Sequence, residues 1–142
     1  RIPVVVNGDI VDPASARAAL AASGAAGVMV GRGACGAPWM PTRIAAALGA
    51  GPDGPDAHDP GPPPLAGQCA IALGHVEAMV EQDGPKIGLR NARKHIGWYL
   101  ASSGRPAETV KAWRRRLCTS EDVDEVRAGL GEFYTQAMEA AA

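Results

Sequence analysis

The sequence predicts two kinds of structure in succession, an α/β segment over residues 1–49 and an all-α segment over residues 67–142. Three observations carry this. Short apolar or β-branched runs at Val4–Val6 and Gly27–Val30 are each followed by a helical stretch. Residues 50–66 are crowded with Pro, Gly and Asp and show no hydrophobic period, as in a linker or long mobile loop. Beyond Leu65 the apolar residues recur at helical spacing.

The first strand follows Pro3, which is tolerated where no ladder donor is needed, and breaks at Asn7-Gly8. Asp12-Pro13 is a helix start, with Asp12 as N-cap and Pro13 at N1. The helix runs through Ala14–Ala22 and stops at Gly24. Gly27–Val30 has no polar alternation, which suits a short parallel strand buried on both faces. Gly31, Gly33 and Gly36 follow around a single Arg32. Glycines at the carboxyl end of such a strand let backbone N–H groups close on an anion, with no Cβ in the way. An ordinary strand-to-helix turn would use the same residues. A helix through Ile44 and Leu48 completes a β-α-β-α order, as in a parallel barrel or a doubly wound sheet. Two strands cannot close a barrel of about 250 residues, so the segment reads as the tail end of one. A chain opening on Arg1 directly before a strand reads as a piece of something longer.

In the linker, His58 has no neighbouring ligands and reads as a solvated loop histidine rather than a metal ligand. After it, Cys69, Leu73, Val76 and Val80 mark one face of a helix that breaks at Asp83-Gly84-Pro85. A second helix over 87–102 turns Leu89, Ala92, Ile96 and Tyr99 inward. A short third one carries Val110, Trp113 and Leu117. Thr119-Ser-Glu-Asp122 reads as a capping box for a last helix with Val123, Val126, Leu130, Phe133 and Ala137 on one stripe. A small four-helix module is expected.

At 46% hydrophobic and 20% charged the chain is globular rather than disordered. Cys35, Cys69 and Cys118 are odd in number and form no C-x-x-C, so they read as reduced thiols of a cytoplasmic protein. No apolar run approaches a membrane span, and no membrane or metal partner is expected. The net charge of −1 hides a strong segregation. Residues 86–116 hold nine bases against Glu108 alone, whereas 119–142 hold six acids against Arg127. Arg90, Arg93, Lys94 and Gly97 share a helix face, with His95, Trp98 and Tyr99 nearby for stacking or wedge contacts. If this is an RNA surface, the three cations should point outward together, away from Glu121, Asp122 and Glu125. If it is a solvated face, they should pair with the acidic last helix.

Pro3-Val-Val-Val-Asn-Gly-Asp-Ile10, Gly27-Val-Met-Val-Gly-Arg-Gly33 and Gly36-Ala-Pro-Trp39, in that order, resemble the end of the flavin barrel of the tRNA-dihydrouridine synthases. The stretch Arg90-Asn-Ala-Arg-Lys-His-Ile96, with Trp98-Tyr99 and Arg114, resembles that family's C-terminal helical domain. The resemblance implies the last two β/α units of a TIM (β/α)8 barrel, then a linker and a tRNA-binding helical bundle. It implies FMN as cofactor, with its phosphate held by Asn7, Gly8 and Asp9 on one side and Gly31 and Arg32 on the other. Asp9 is expected to act through its backbone, its carboxylate turned away from the dianion. Trp39 is expected to pack the start of the final barrel helix. Arg90, Arg93, Lys94, His95 and Arg114 would contact tRNA. The implied reaction reduces the C5=C6 bond of a tRNA uridine using NADPH, in a monomeric enzyme, with a cysteine as general acid. That cysteine is expected upstream of Arg1, so no catalytic residue is assigned here. Cys35 does not match its position, and Cys69 and Cys118 read as core. Two alternatives are a phosphate-binding barrel flavoenzyme acting on a metabolite and a non-catalytic RNA-binding module.

Overall fold

The computed structural model describes residues 2–50 and 58–141, with side chains described through Gln136. The chain divides between Pro62 and Pro63 into two compact units.

In the first unit, β1 (Val5–Asn7) and β2 (Gly27–Met29) pair in parallel, with Val5 opposite Gly27, Val6 opposite Val28 and Asn7 opposite Met29. Helix α1 (Pro13–Ser23) connects them, and α2 (Met40–Ala47) follows a 3-10 turn over Arg32–Ala34. The start of α1 is fixed reciprocally. The Asp12 carboxylate accepts from the Ser15 N–H at 2.7 Å while Ser15 Oγ accepts from the Asp12 N–H at 3.1 Å. Its end is Gly24, at φ 64°, whose N–H reaches the Leu20 carbonyl. Ile10, Ala16 and Ile44 are buried, with Val6, Ala19 and Val28 packed on them.

Burial of the second strand on both faces is not observed. Val6 and Val28 turn toward the helices, but Val5 and Met29, on the opposite face of the pair, are 58% and 49% exposed. The pleat sends alternate residues to opposite faces, and both helices of this unit pack on the face of Val6 and Val28.

Of residues 50–66, positions 51–57 lie outside the described residues. The described remainder is not all loose loop. Arg43 Nε and Nη2 donate to the two carboxylate oxygens of Asp59, both at 2.7 Å, and the Gly61 N–H adds a third bond. These contacts, the Arg43 fork first, hold the Asp59 carboxyl at about 2, below the ordinary aspartate value of 3.8. A carboxylate shifted downward by folding stabilises the fold above its unfolded value and loses that contribution as pH falls through the folded one. Wild type should therefore lose stability between about pH 4 and pH 2 through this pair. Arg43→Gln should remove that part of the acid dependence and return the Asp59 carboxyl NMR titration to the ordinary aspartate range.

In the second unit, α3 (Leu65–Ser102) is bent back on itself at Gly84, which takes φ 78° and is followed by Pro85. The break falls where Asp83-Gly84-Pro85 predicts it. The arms, 65–83 and 85–102, lie side by side, so that His75 meets Tyr99 and Asp83 meets Asn91. Gly88 sits against the Met79 carbonyl, where a Cβ would collide with backbone. Helices α4 (Ala107–Leu117) and α5 (Val123–Ala141) complete four helical segments.

Leu89, Ala92, Ile96, Tyr99, Leu117, Val126, Leu130 and Phe133 are all buried. Phe133 is held edge-on by Trp113 and Tyr134, and truncating a buried ring of this kind costs about 3–5 kcal/mol. Cys69 and Cys118 pack against this core, and burial raises both thiols above the ordinary value. The cap of α5 differs from the expected box. Asp122 caps it, its carboxylate accepting from the N–H groups of Asp124 and Glu125, while Thr119 Oγ1 turns back to the Arg115 carbonyl.

Candidate anion cleft and basic helical face

The carboxyl ends of β1 and β2 lie side by side because the strands are parallel and in register. Asn7, Gly8 and Asp9 leave the first strand and Gly31 and Arg32 leave the second. All five line one cleft of about 260 Å³. Ile10 and Val11 line it as well, which sequence reasoning missed for want of any polar signal. The glycines of the two loops do different work. A Cβ on Gly33 would run into the Ile10 carbonyl and come within 2.9 Å of Val11 Cα, so Gly33 brings the two loops together. At Gly8 and Gly31 nothing lies within 4 Å of where a Cβ would project.

Asp9 corrects the expectation for its side chain. Its carboxylate is not turned away but accepts from Arg32 Nη2 at 2.7 Å, with both side chains largely exposed. Asp9 takes φ 45°, a left-handed conformation that aspartate tolerates better than most side chains. The Arg32 guanidinium is thus held at the cleft by an exchangeable carboxylate. Trp39 occupies the N-cap position of α2 and is half-buried.

In the second unit the structure sorts the basic block into engaged and free cations. Arg116 lies 3.0 Å from Glu132 and 3.7 Å from Glu125, over the Trp113 ring. Arg105 donates to the Phe133 carbonyl. Arg93 is also engaged. Its Nη2 donates to the Ser120 carbonyl at 3.1 Å and stands 4.0 Å from Glu121, so it does not point away from the acidic segment as expected. The turn before α5 brings the Ser120 carbonyl within reach of the half-buried guanidinium. Arg90 and Lys94 are exposed and form no ion pair among the described residues. Lys86, one turn before Arg90, behaves alike; sequence reasoning missed it although its spacing is the signal. Arg114 is exposed on α4 and lies over the buried Gly97, within 3.3 Å of where a Cβ would stand. A groove of about 820 Å³ runs beside Lys86, Ile87, Arg90, Arg93 and Glu121.

His95 is half-buried between His75, 4.7 Å away by ring centroids, and Trp98, 5.1 Å away. Burial first, then His75 and Lys94, lower its pKa below the ordinary value of 6.5, which favours the neutral ring. Tyr99 is buried, with its hydroxyl 3.0 Å from His75 Nδ1, which removes it from the possible stacking residues. Trp98 remains exposed. Among the described residues no group of three or more His, Cys, Asp or Glu could hold a metal, and no helix is long and apolar enough to cross a membrane.

The family model described as "Dihydrouridine synthase (Dus)" matches residues 1–141. The chain is 41% identical over 139 residues to a "Probable tRNA-dihydrouridine synthase" of Rickettsia conorii, covering 98% of this chain and 39% of that protein. It is 50% identical over 113 residues to a protein of the same description from Rhodobacter capsulatus, covering 78% and 33%. It is 38% identical over 133 residues to "tRNA-dihydrouridine synthase B" of Escherichia coli, covering 94% and 38%. The chain thus spans about two fifths or less of the length of these relatives.

Proposed function

Because the chain belongs to the dihydrouridine synthase family, we propose that it is part of a flavin-dependent tRNA-dihydrouridine synthase, a monomeric cytoplasmic enzyme. Residues 1–49 are the last two β/α units of its TIM barrel and hold the phosphate end of FMN; a linker leads from them to a tRNA-binding helical domain, the unit from Pro63 onward. The observation that carries this reading is the single cleft shared by Asn7, Gly8, Asp9, Gly31 and Arg32 at the carboxyl ends of two parallel strands. The exposed apolar face of Val5 and Met29 supports the barrel, since closure would cover it.

The residues of the cleft fit a phosphate monoester. Gly8 and Gly31 leave open the space a side chain would fill, and the volume suits a small anionic group. Arg32 supplies a guanidinium whose fork matches two phosphate oxygens, exchanging Asp9 for the dianion. Asp9 must then swing aside, because two anions cannot share one guanidinium edge without repulsion. When bound, FMN would supply the hydride that saturates the C5=C6 bond of a tRNA uridine, with NADPH as reductant.

None of the three cysteines is assigned as the proton donor of that reaction. Cys69 and Cys118 have thiols raised by burial against the helical core, and Cys35 ends the 3-10 turn, half-buried. The second unit binds rather than reacts: Arg90, Lys94 and Arg114 meet phosphates, His95 offers a neutral ring, and Arg93 holds the turn before α5 while lining the groove. The test is direct. The full-length protein, incubated with FMN, NADPH and unmodified tRNA, should convert a uridine to a nucleoside two hydrogens heavier by mass spectrometry. Unchanged tRNA alongside oxidation of NADPH on a small metabolite would overturn the tRNA assignment.

A further inference from the structure

Lys86, Arg90, Lys94 and Trp98 fall at i, i+4, i+8 and i+12 on the second arm of α3, and all four are exposed. Residues four apart lie one above another on a helix, each step advancing about 6 Å along the axis. The three cations have no acidic partner among the described residues, unlike Arg93, Arg116 and Arg127. The row ends on an indole that is 37% exposed.

That indole is held from beneath. Its partner His95 meets it edge-on, with ring planes at 88°. His95 leans on His75, and His75 is bonded to the buried Tyr99 hydroxyl. A relay of rings anchored in the core thus fixes the orientation of an exposed aromatic face beside a line of unneutralised cations. Such a surface matches a backbone of regularly spaced anions that also presents a flat π-system. A duplex keeps its bases stacked on one another and would use the cations alone, whereas an unpaired nucleotide can use both.

We propose that Trp98 is the stacking platform for an unpaired nucleobase of the bound RNA, at the end of a phosphate track formed by Lys86, Arg90 and Lys94. This rests on the RNA-binding reading of the helical unit given above, and the experiment separates the two.

In the intact enzyme, Trp98→Leu keeps apolar volume against His95 but removes the π-face, while Trp98→Phe keeps a smaller face. Affinities for tRNA, for a single-stranded oligouridylate and for a blunt RNA duplex are measured by fluorescence anisotropy, with thermal unfolding alongside. Stacking on an aromatic is worth about 1–3 kcal/mol per base, so Trp98→Leu should weaken tRNA and oligouridylate roughly 5- to 150-fold. The duplex should be bound as by wild type, and Trp98→Phe should recover much of the loss. Equal weakening for all three RNAs, or a loss that Phe does not recover, would overturn the stacking role in favour of a packing one. Unchanged affinity in Trp98→Leu, with Arg90→Ala and Lys94→Ala still weakening tRNA, would overturn it while leaving the RNA surface intact. Unchanged affinity in all these variants would remove the RNA reading itself.

Discussion

Gly31→Val in the full-length enzyme is expected to abolish the yellow flavin spectrum while leaving the protein folded. The two halves of that expectation have separate causes. A valine side chain at position 31 projects into the cleft shared with Asn7 and Arg32, where a phosphate would lie. The Cβ itself meets no protein atom, since nothing lies within 4 Å of its position. Gly33→Ala, two residues on, should do the opposite kind of damage. Its methyl group would meet the backbone at Ile10 and Val11, so the loops must separate and the melting temperature should drop. Flavin absorbance per protein, read beside thermal unfolding, distinguishes the two variants. Stoichiometric FMN in folded Gly31→Val would remove the cleft from the cofactor site.

The second large effect is expected at Arg90 and Lys94. Both are exposed and unpaired among the described residues, so their removal leaves no buried charge behind and should leave stability nearly unchanged. Their loss should weaken tRNA binding by about tenfold or more, since bonds to charged groups are worth roughly 1.5–3 kcal/mol. Flavin content and NADPH oxidation by the bound flavin should be untouched, because neither residue belongs to the unit that carries the cleft. Arg93 is a poor choice for this experiment. Its removal frees the Ser120 carbonyl and Glu121, so a change in affinity would mix RNA contact with a loosened turn.

Much of the fold was legible because its signals are local. Asp12-Pro13 and Gly24 delimit α1 through capping chemistry that depends on a few neighbouring residues. Gly84-Pro85 bends α3 for the same kind of reason, a left-handed residue followed by one without a donor. The stripe Leu89, Ala92, Ile96 and Tyr99 is the core face by spacing alone. What was not legible depends on which of several nearby partners a side chain selects. The Asp9 carboxylate could cap its own loop or reach across to Arg32, and only the parallel register brings Arg32 within 2.7 Å. Arg93 and Lys94 are adjacent and alike in sequence. One faces the turn before α5 and the other faces solvent, because successive helical residues differ by about 100° in direction. Charge counting sees a block; geometry divides it. The cap of α5 slipped from Thr119 to Asp122 for a similar reason, since both residues can accept from backbone and the helix takes the later one.

The salt dependence of tRNA affinity reports most directly on whether Arg90 and Lys94 meet phosphates. Wild-type enzyme and the Arg90→Ala/Lys94→Ala variant are titrated with tRNA at several salt concentrations, and log affinity is plotted against log salt. Each phosphate contact contributes about 0.7–0.9 to the slope through counterion release, so the double variant should be flatter by roughly 1.5. An unchanged slope, with unchanged affinity at each salt concentration, would mean that these cations are a solvated face and that this unit does not hold tRNA through them.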